Sequence, residues 1–197
     1  MLPGPNLVYG CPNCGRKVLV KSMTSGNTSG ATFYSDGTMD APMLPKYPKE
    51  AKCKSCGTFF DFCKKNFVKK LENWMSNEPD CDWAEFLAVE DYIEKIKLKQ
   101  GSEIANRLII WQLANKSSET IETERYRENC GRLIELLKDT NEYDFKVTLA
   151  ELYRNIGAFD KCSDIINALN SDFNWLKNAF YEQCATKNTK TFTLPRA

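Results

Sequence analysis

Four cysteines in two matching patterns are the residues best suited to chemistry in this chain. Cys11 and Cys14 lie in CPNCG, and Cys53 and Cys56 lie in CKSCG. A glycine after the second cysteine accepts the positive φ of a tight turn in which backbone N–H groups point at the first sulfur. Two such turns facing each other form a tetrahedral four-sulfur site, which suits Zn²⁺ and leaves no coordination position open for a substrate. The spacing therefore predicts one structural zinc site held by all four cysteines.

The same cysteines also admit other interpretations. A thioredoxin-like redox CxxC opens a long helix after a buried strand, whereas the segment GRKVLV after Cys14 is predicted to be a strand. Iron–sulfur ligation and regulatory thiol switching stay open as well. Cys63 is a spare ligand candidate, which we interpret as an ordinary thiol because structural zinc takes four ligands. Cys81 has no predicted role, and three further cysteines fall on apolar helical faces as small core residues: Cys130, Cys162 and Cys184.

The chain contains no histidine. This removes the usual general base, every nucleophile that depends on a neighbouring imidazole, and every zinc site that needs an imidazole ligand. Since no paired-carboxylate motif can be placed either, we expect a protein that is not an enzyme. The nine cysteines are an odd number and are too scattered for a secreted disulfide scaffold. With no signal-like N-terminus and no apolar run of membrane length, we expect a cytoplasmic protein without membrane contact.

The two cysteine turns resemble the paired rubredoxin-type knuckles of zinc-ribbon proteins. The resemblance covers residues 9–62, and its matching residues are Cys11, Cys14 and Gly15, then Cys53, Cys56 and Gly57. It implies a small β domain held by structural Zn²⁺. The 38 residues between Cys14 and Cys53 depart from the pattern. They contain a predicted hairpin, carried by the ribbon, with Asp36-Gly37 as a two-residue turn between strands over 31–35 and 38–44.

Charge is divided unevenly along the chain. Residues 1–70 hold 11 basic and 4 acidic residues, whereas residues 71–197 hold 16 basic and 22 acidic residues. A basic module favours nucleic acid as a partner, so nucleic-acid contact is an alternative function for the first part. The candidate binding surface consists of three aromatic residues and four lysines: Phe33, Tyr34, Tyr47, Lys64, Lys65, Lys69 and Lys70. The simpler interpretation is that the aromatic residues cover the ribbon sheet and that the lysines form a solvated face.

After residue 70 the apolar residues follow the 3.6-residue period of helices. Six helices are predicted between residues 83 and 184, joined by short connections that indicate an all-helical bundle. Trp83 and Phe86 mark the first helix, and Trp83, Trp111 and Trp175 are predicted core residues. The alternating sequence TKTFTL near the end predicts a short strand over 190–194 that pairs with the sheet of the zinc domain.

The stretch LAELYRNIGAFDKCSDIINAL resembles a tetratricopeptide (TPR) repeat. The matching positions are Leu149, Ala150, Tyr153, Gly157, Phe159, Cys162, Ile166 and Leu169. Small residues at Ala150 and Cys162 let the two helices approach closely. One repeat is too few for a solenoid, so the pattern predicts a TPR-like helix pair inside a compact bundle. Because the concave face of TPR proteins binds peptides, the resemblance implies a protein partner.

The whole chain resembles a family of uncharacterised bacterial proteins with an N-terminal zinc ribbon and a C-terminal TPR-like helical domain. We therefore expect an α+β protein in which a small β zinc ribbon over 1–70 precedes an all-α TPR-like helical bundle over 71–197. The expected function is that of a non-enzymatic zinc-binding adaptor that docks a protein partner. The two alternatives are a nucleic-acid-associated zinc-ribbon protein and a thiol-based redox or metal sensor.

Overall fold

A computed structural model describes residues 1–117 and 123–195, which form eight strands and six helices. The strands are β1 (Leu2–Gly10), β2 (Lys17–Ser25), β3 (Thr32–Phe33), β4 (Met39–Asp40), β5 (Glu50–Lys52), β6 (Phe59–Asp61), β7 (Phe67–Lys70) and β8 (Asp82–Trp83). The helices are α1 (Val89–Lys97), α2 (Glu103–Ala114), α3 (Glu124–Leu137), α4 (Tyr143–Asn155), α5 (Phe159–Asn167) and α6 (Asn174–Ala185). Strands followed by helices confirm the α+β class.

The chain divides into two compact units. The first consists of Met1–Ala31 and Ala41–Lys95, and the second consists of Thr32–Asp40 and Ile96–Ala197. These units differ from the predicted division after residue 70 in two respects. The cysteine-bearing unit continues to Lys95, because β8 pairs with β2 and α1 makes ion pairs with β5. The hairpin of β3 and β4 belongs to the helical unit rather than to the ribbon.

Two long antiparallel strands, β1 and β2, form the frame of the first unit. They belong to a four-stranded sheet in the order β7-β1-β2-β8, with β7 antiparallel to β1 and β8 parallel to β2. β5 and β6 form a separate antiparallel hairpin. The buried core combines side chains from both hairpins: Tyr9, Val18, Val20, Ala51 and Phe60, with Cys11 and Cys53. A core this small leaves much of the stability to be supplied by a metal.

The helical unit buries two apolar clusters. The first lies among α2, α3 and α4, where Trp111 and Leu133 are almost completely buried. The second lies among α4, α5 and α6 and includes Ala150, Cys162 and Phe180. These amphipathic faces account for the five helices α2 to α6, which the apolar period predicts. No membrane-spanning helix occurs within residues 1–117 and 123–195, since none of the helices there is both long and apolar enough.

The helical prediction is wrong at the first helix and at two tryptophans. α1 begins only at Val89, because Trp83 pairs with Leu19 as part of β8. Trp83 and Phe86 are three positions apart, which fits the helical period, although Trp83 lies in a strand and Phe86 in a loop. Trp111 is confirmed as a core residue at 1% exposure, but Trp83 and Trp175 are 40% and 37% exposed.

The predicted hairpin is confirmed, with a three-residue turn in place of the predicted two. The Tyr34 N–H donates to Thr38 O at 2.9 Å, and the Gly37 N–H donates to Tyr34 O at 3.0 Å. Gly37 takes the positive φ of 75° that closes this turn. Near the C-terminus, 190–194 forms a single bridge between Tyr34 and Thr193 instead of a strand on the zinc-domain sheet. In that sheet β1 and β2 already have neighbours on both sides.

Candidate metal centre

Each cysteine pair lies in the tight turn at the end of a hairpin, the first between β1 and β2 and the second between β5 and β6. The Gly15 N–H donates to Cys11 O at 2.9 Å, and the Gly57 N–H donates to Cys53 O at 2.9 Å. The φ angles of these glycines are 75° and 73°. The two turns are therefore the same local structure, as the repeated CxxCG pattern predicts, and both depend on the conformational freedom of glycine.

The two turns bring four sulfur atoms together. The Sγ atoms of Cys11, Cys14, Cys53 and Cys56 all lie within 4.8 Å of one another. Cys11 Sγ is 3.6 Å from Cys56 Sγ, and Cys14 Sγ is 3.5 Å from Cys53 Sγ. A regular tetrahedron with Zn–S bonds of about 2.3 Å separates its sulfurs by about 3.8 Å. The donor set therefore fits a Zn²⁺ ion in both its chemistry and its dimensions.

The thiols of the cluster differ in acidity when no cation is bound. Hydrogen bonds from Thr58 and Asn13 lower the pKa of Cys56 to about 5. The backbone N–H of Arg16 lowers the pKa of Cys14, but the neighbouring cysteine sulfurs outweigh it and raise the pKa to about 12. Cys56 is thus the more acidic of these two thiols. A bound divalent cation would stabilise the remaining thiolates, because it offsets the repulsion between adjacent negative sulfurs.

The other five cysteines take no part in the cluster. Cys130 and Cys162 are fully buried in the helical unit, which confirms them as core residues. Burial raises the pKa of the Cys130 thiol to about 12, so this sulfur stays protonated at neutral pH. Cys63, Cys81 and Cys184 are partly exposed. Within the described residues, the four-cysteine group is the single cluster that could hold a metal.

Acidic residues neutralise much of the basic charge that residues 1–70 carry. Residues 71–95 add eight acidic residues and one lysine, so the first compact unit has 12 basic and 10 acidic residues. Asp82 pairs with Arg16 at 2.9 Å, and Glu78 pairs with Lys69 at 2.7 Å. Ion pairs also join β5 to α1, where Lys52 lies 2.6 Å from a carboxylate oxygen. The first unit is therefore close to neutral.

The residues of the predicted binding surface fall in several places. Phe33 and Tyr34 lie in or next to β3, within the helical unit, whereas Tyr47 lies in the first unit. The four lysines lie between β6 and the end of β7 and are exposed: Lys64, Lys65, Lys69 and Lys70. Tyr47 lines a cavity with Trp83 and Phe86, two residues that the helical period had assigned to a helix. In the sequence, the aromatic residues of the stretch DCDWAEF stand among acidic residues, so nothing there indicated an aromatic binding surface.

The TPR-matching residues lie on α4, on α5 and in the adjoining turns. Gly157 has a φ of 80° between the two helices. Ala150 and Cys162 are both completely buried in one cluster, together with Ile166 and Leu169. Leu149 lies in the other cluster, Tyr153 contacts both, and Phe159 is half-buried. Small side chains thus lie where the two helices pack, as the sequence pattern predicts.

A buried ion pair in the helical unit was not predicted from the sequence. Glu151 and Arg154 of α4 have completely buried side chains, and Arg154 Nε donates to Glu151 Oε2 at 2.8 Å. The Ser35 hydroxyl of the hairpin turn donates to Glu151 Oε1 at 2.7 Å. The i,i+3 spacing of these charges is a sequence signal, but it fits an exposed pair equally well.

The same helix holds the C-terminal tail, residues 188–194. Arg154 Nη2 donates to Lys190 O at 2.8 Å, and Asn155 Nδ2 donates to Thr189 O at 2.8 Å. These donors satisfy two tail carbonyls, and the Leu194 N–H donates to Phe33 O at 2.8 Å, so the tail also pairs with the hairpin. The tail and the hairpin turn therefore share one buried polar network on α4.

No protein-family model, curated protein or solved structure matches this chain. Its relation to the bacterial family and to TPR proteins stays a prediction from the sequence motifs.

Proposed function

We propose that this protein is a non-enzymatic zinc-binding adaptor. In this proposal a structural Zn²⁺ is bound by Cys11, Cys14, Cys53 and Cys56, and the helical unit docks a protein partner. The observation that carries it is the approach of four sulfurs to within 4.8 Å of one another on two turns of the same geometry. A four-thiolate site leaves no position for a substrate, which supports a structural rather than a catalytic role.

Features of the helical unit support the adaptor role. A TPR-like helix pair is proposed for α4 and α5, supported by the buried small residues Ala150 and Cys162. Ile156 and Trp175 are 40% and 37% exposed, and a protein partner would remove this apolar surface from water. Exposed apolar side chains on a helical framework are suited to protein contact.

Metal analysis of anaerobically purified full-length protein tests the zinc proposal. We expect one zinc ion per chain, its loss in Cys53→Ser, and its retention in Cys63→Ser. Iron, or no tightly bound metal together with reducible disulfides, would contradict structural zinc and favour the sensor function instead.

Affinity purification of the full chain with mass spectrometry tests the adaptor role. Proteins recovered with the wild type should be lost from the Ile156→Asp, Trp175→Asp double variant. They should be retained by Met75→Asp, which alters a side chain that is 71% exposed in the first unit. If both variants recover the same proteins as the wild type, the proposed docking surface is wrong.

A further inference from the structure

We propose that the first compact unit binds single-stranded nucleic acid in a groove beside β8. This groove, the Trp83 groove, has a volume of about 570 Å³. Its lining residues are Lys21, Lys46, Tyr47, Pro48, Trp83, Ala84 and Phe86. This volume lies in the range of about 300–1,000 Å³ that is usual for ligand sites. Three aromatic rings and two lysines in one groove combine flat apolar surface with positive charge.

Two aromatic rings of the groove are exposed, and the backbone beside one of them is held by the sheet. Trp83 pairs with Leu19 in the sheet, and the Ala84 N–H donates to Leu19 O at 2.8 Å. Nevertheless, 40% of Trp83 and 64% of Phe86 remain exposed to solvent. Leaving large aromatic rings exposed at an ordered position costs hydrophobic stabilisation, and a ligand that stacks on them recovers it. Nucleic-acid bases stack on aromatic side chains regardless of sequence.

The groove also carries positive charge without a compensating carboxylate. Lys21 Nζ lies 5.6 Å from the centre of the Trp83 ring, and Lys46 is exposed on the lining. None of the lining residues is acidic. No ion pair of Lys21 or Lys46 occurs in the part of the chain that the structure describes, whereas Lys54 beyond the groove pairs with Glu85 at 3.0 Å. These two lysines are therefore available to an anion.

A nucleotide chain matches both features at once. Its bases supply flat faces for Trp83 and Phe86, and its phosphates supply the negative charge for Lys21 and Lys46. An acidic peptide would use the lysines but would leave the ring faces without an equivalent partner. Lys69 of the predicted basic cluster contributes less, because it is already paired with Glu78.

This inference rests on the proposed zinc-held fold, since β8 is positioned by a strand that adjoins the first cysteine turn. Zinc content is therefore measured on every protein sample used for binding. A wild-type sample that keeps one zinc per chain but binds no nucleic acid contradicts the groove alone. A wild-type protein that is purified without bound zinc contradicts the proposed function.

Fluorescence anisotropy of a labelled oligothymidylate of about 12 nucleotides, a length within usual site sizes, measures binding to the full chain. Phe86→Ala and Trp83→Ala should each weaken binding by about tenfold, the effect of losing one base–aromatic contact. Trp83→Phe keeps an aromatic face and should restore most of the affinity. The matched control is Trp74→Ala, which removes a tryptophan that is 54% exposed outside the groove lining and should leave affinity unchanged.

The lysines are tested by the salt dependence of the same binding. Lys21→Gln combined with Lys46→Gln should reduce the slope of log K against log salt by about 1.4, since each phosphate contact to a single strand contributes about 0.7. Lys64→Gln with Lys65→Gln is the matched control and should leave the slope unchanged.

Two competitors distinguish stacking from charge alone. An abasic oligonucleotide of the same length should bind at least about tenfold more weakly, because it has phosphates but no bases. A polyglutamate peptide should compete poorly. Equal affinity for the abasic strand, equal competition by polyglutamate, or loss of binding only in the Lys64 and Lys65 control would each overturn the proposal.

Discussion

Replacement of Arg154 by methionine is expected to destabilise the helical unit by about 3–5 kcal/mol, the cost of breaking a buried ion pair by removing one partner. Arg154 and Glu151 have completely buried side chains. In the variant, the Glu151 carboxylate retains only neutral donors from the described network, the Ser35 hydroxyl and the Asn155 amide. The tail also loses the Arg154 donor to Lys190 O. Each of these losses leaves a buried or half-buried polar group poorly satisfied.

The size of this effect follows from burial rather than from charge alone, and two further variants separate the two causes. Arg132 pairs with Glu103 at 3.0 Å, but its side chain is 49% exposed, so Arg132→Met should cost less than about 1 kcal/mol. The double variant Glu151→Leu, Arg154→Met should be more stable than Arg154→Met alone, because no unpaired charge remains in the core.

Equilibrium urea unfolding of the full chain, followed by far-UV circular dichroism, gives these free energies. Hydrogen exchange of the amides in residues 188–194 reports on the tail separately, and it should become faster in Arg154→Met. The reasoning is refuted if Arg154→Met lowers the free energy of unfolding by no more than Arg132→Met does. It is also refuted if the loss in the double variant equals the sum of the losses in its two single variants.

Three further predictions concern the metal turns and a surface ion pair. Removal of zinc by a strong chelator should unfold the first unit, because structural zinc contributes about 10 kcal/mol or more; unchanged hydrogen exchange in β1 and β2 after chelation would contradict this. Gly57→Ala should destabilise the first unit by about 1–2 kcal/mol in urea unfolding, since a side chain disfavours the positive φ even though no atom lies within 4 Å of the added carbon. An equal stability of the variant and the wild type would be inconsistent with a strained turn. Hydrogen bonds from Arg132 and Arg107 lower the pKa of Glu103 to about 2, so its stabilising effect is present above the ordinary value of 4.5 and is lost as the pH falls towards 2. Glu103→Gln should therefore be less stable than the wild type near pH 7 by less than about 1 kcal/mol, and a difference in urea unfolding that does not narrow below pH 4.5 would show that the ion pair is not its cause.

Local patterns predicted the metal turns and most helices correctly. The CxxCG turns depend on a cysteine spacing and on glycine φ, and both are properties of a few adjacent residues. The helices α2 to α6 follow from a sustained apolar period. The same period failed at Trp83, because two aromatic residues three positions apart are too few to distinguish a helix from a strand and a loop.

The charge pattern shows the limit of reading the chain in blocks. A balance of 11 basic to 4 acidic residues over 1–70 indicated a basic module. The structure pairs Arg16 with Asp82 and Lys69 with Glu78, so acidic residues from beyond residue 70 cancel much of that charge. Of the lysines that the structure leaves unpaired, Lys21 and Lys46 lie beside exposed aromatic rings, and that proximity cannot be inferred from sequence spacing.

The sequence by itself determined the four-cysteine donor set, the two glycine-dependent turns and the presence of a helical second half, because each of these is encoded by residues close together in the chain. Only the tertiary structure decided that the hairpin between the cysteine pairs belongs to the helical unit and that Ser35 donates to Glu151, 116 residues away. It also decided that Trp83 is exposed in a groove and that Arg154 is buried under the C-terminal tail. The burial of a charged side chain such as Arg154 is set by which distant segments cover it, and the local i,i+3 pattern does not encode that cover.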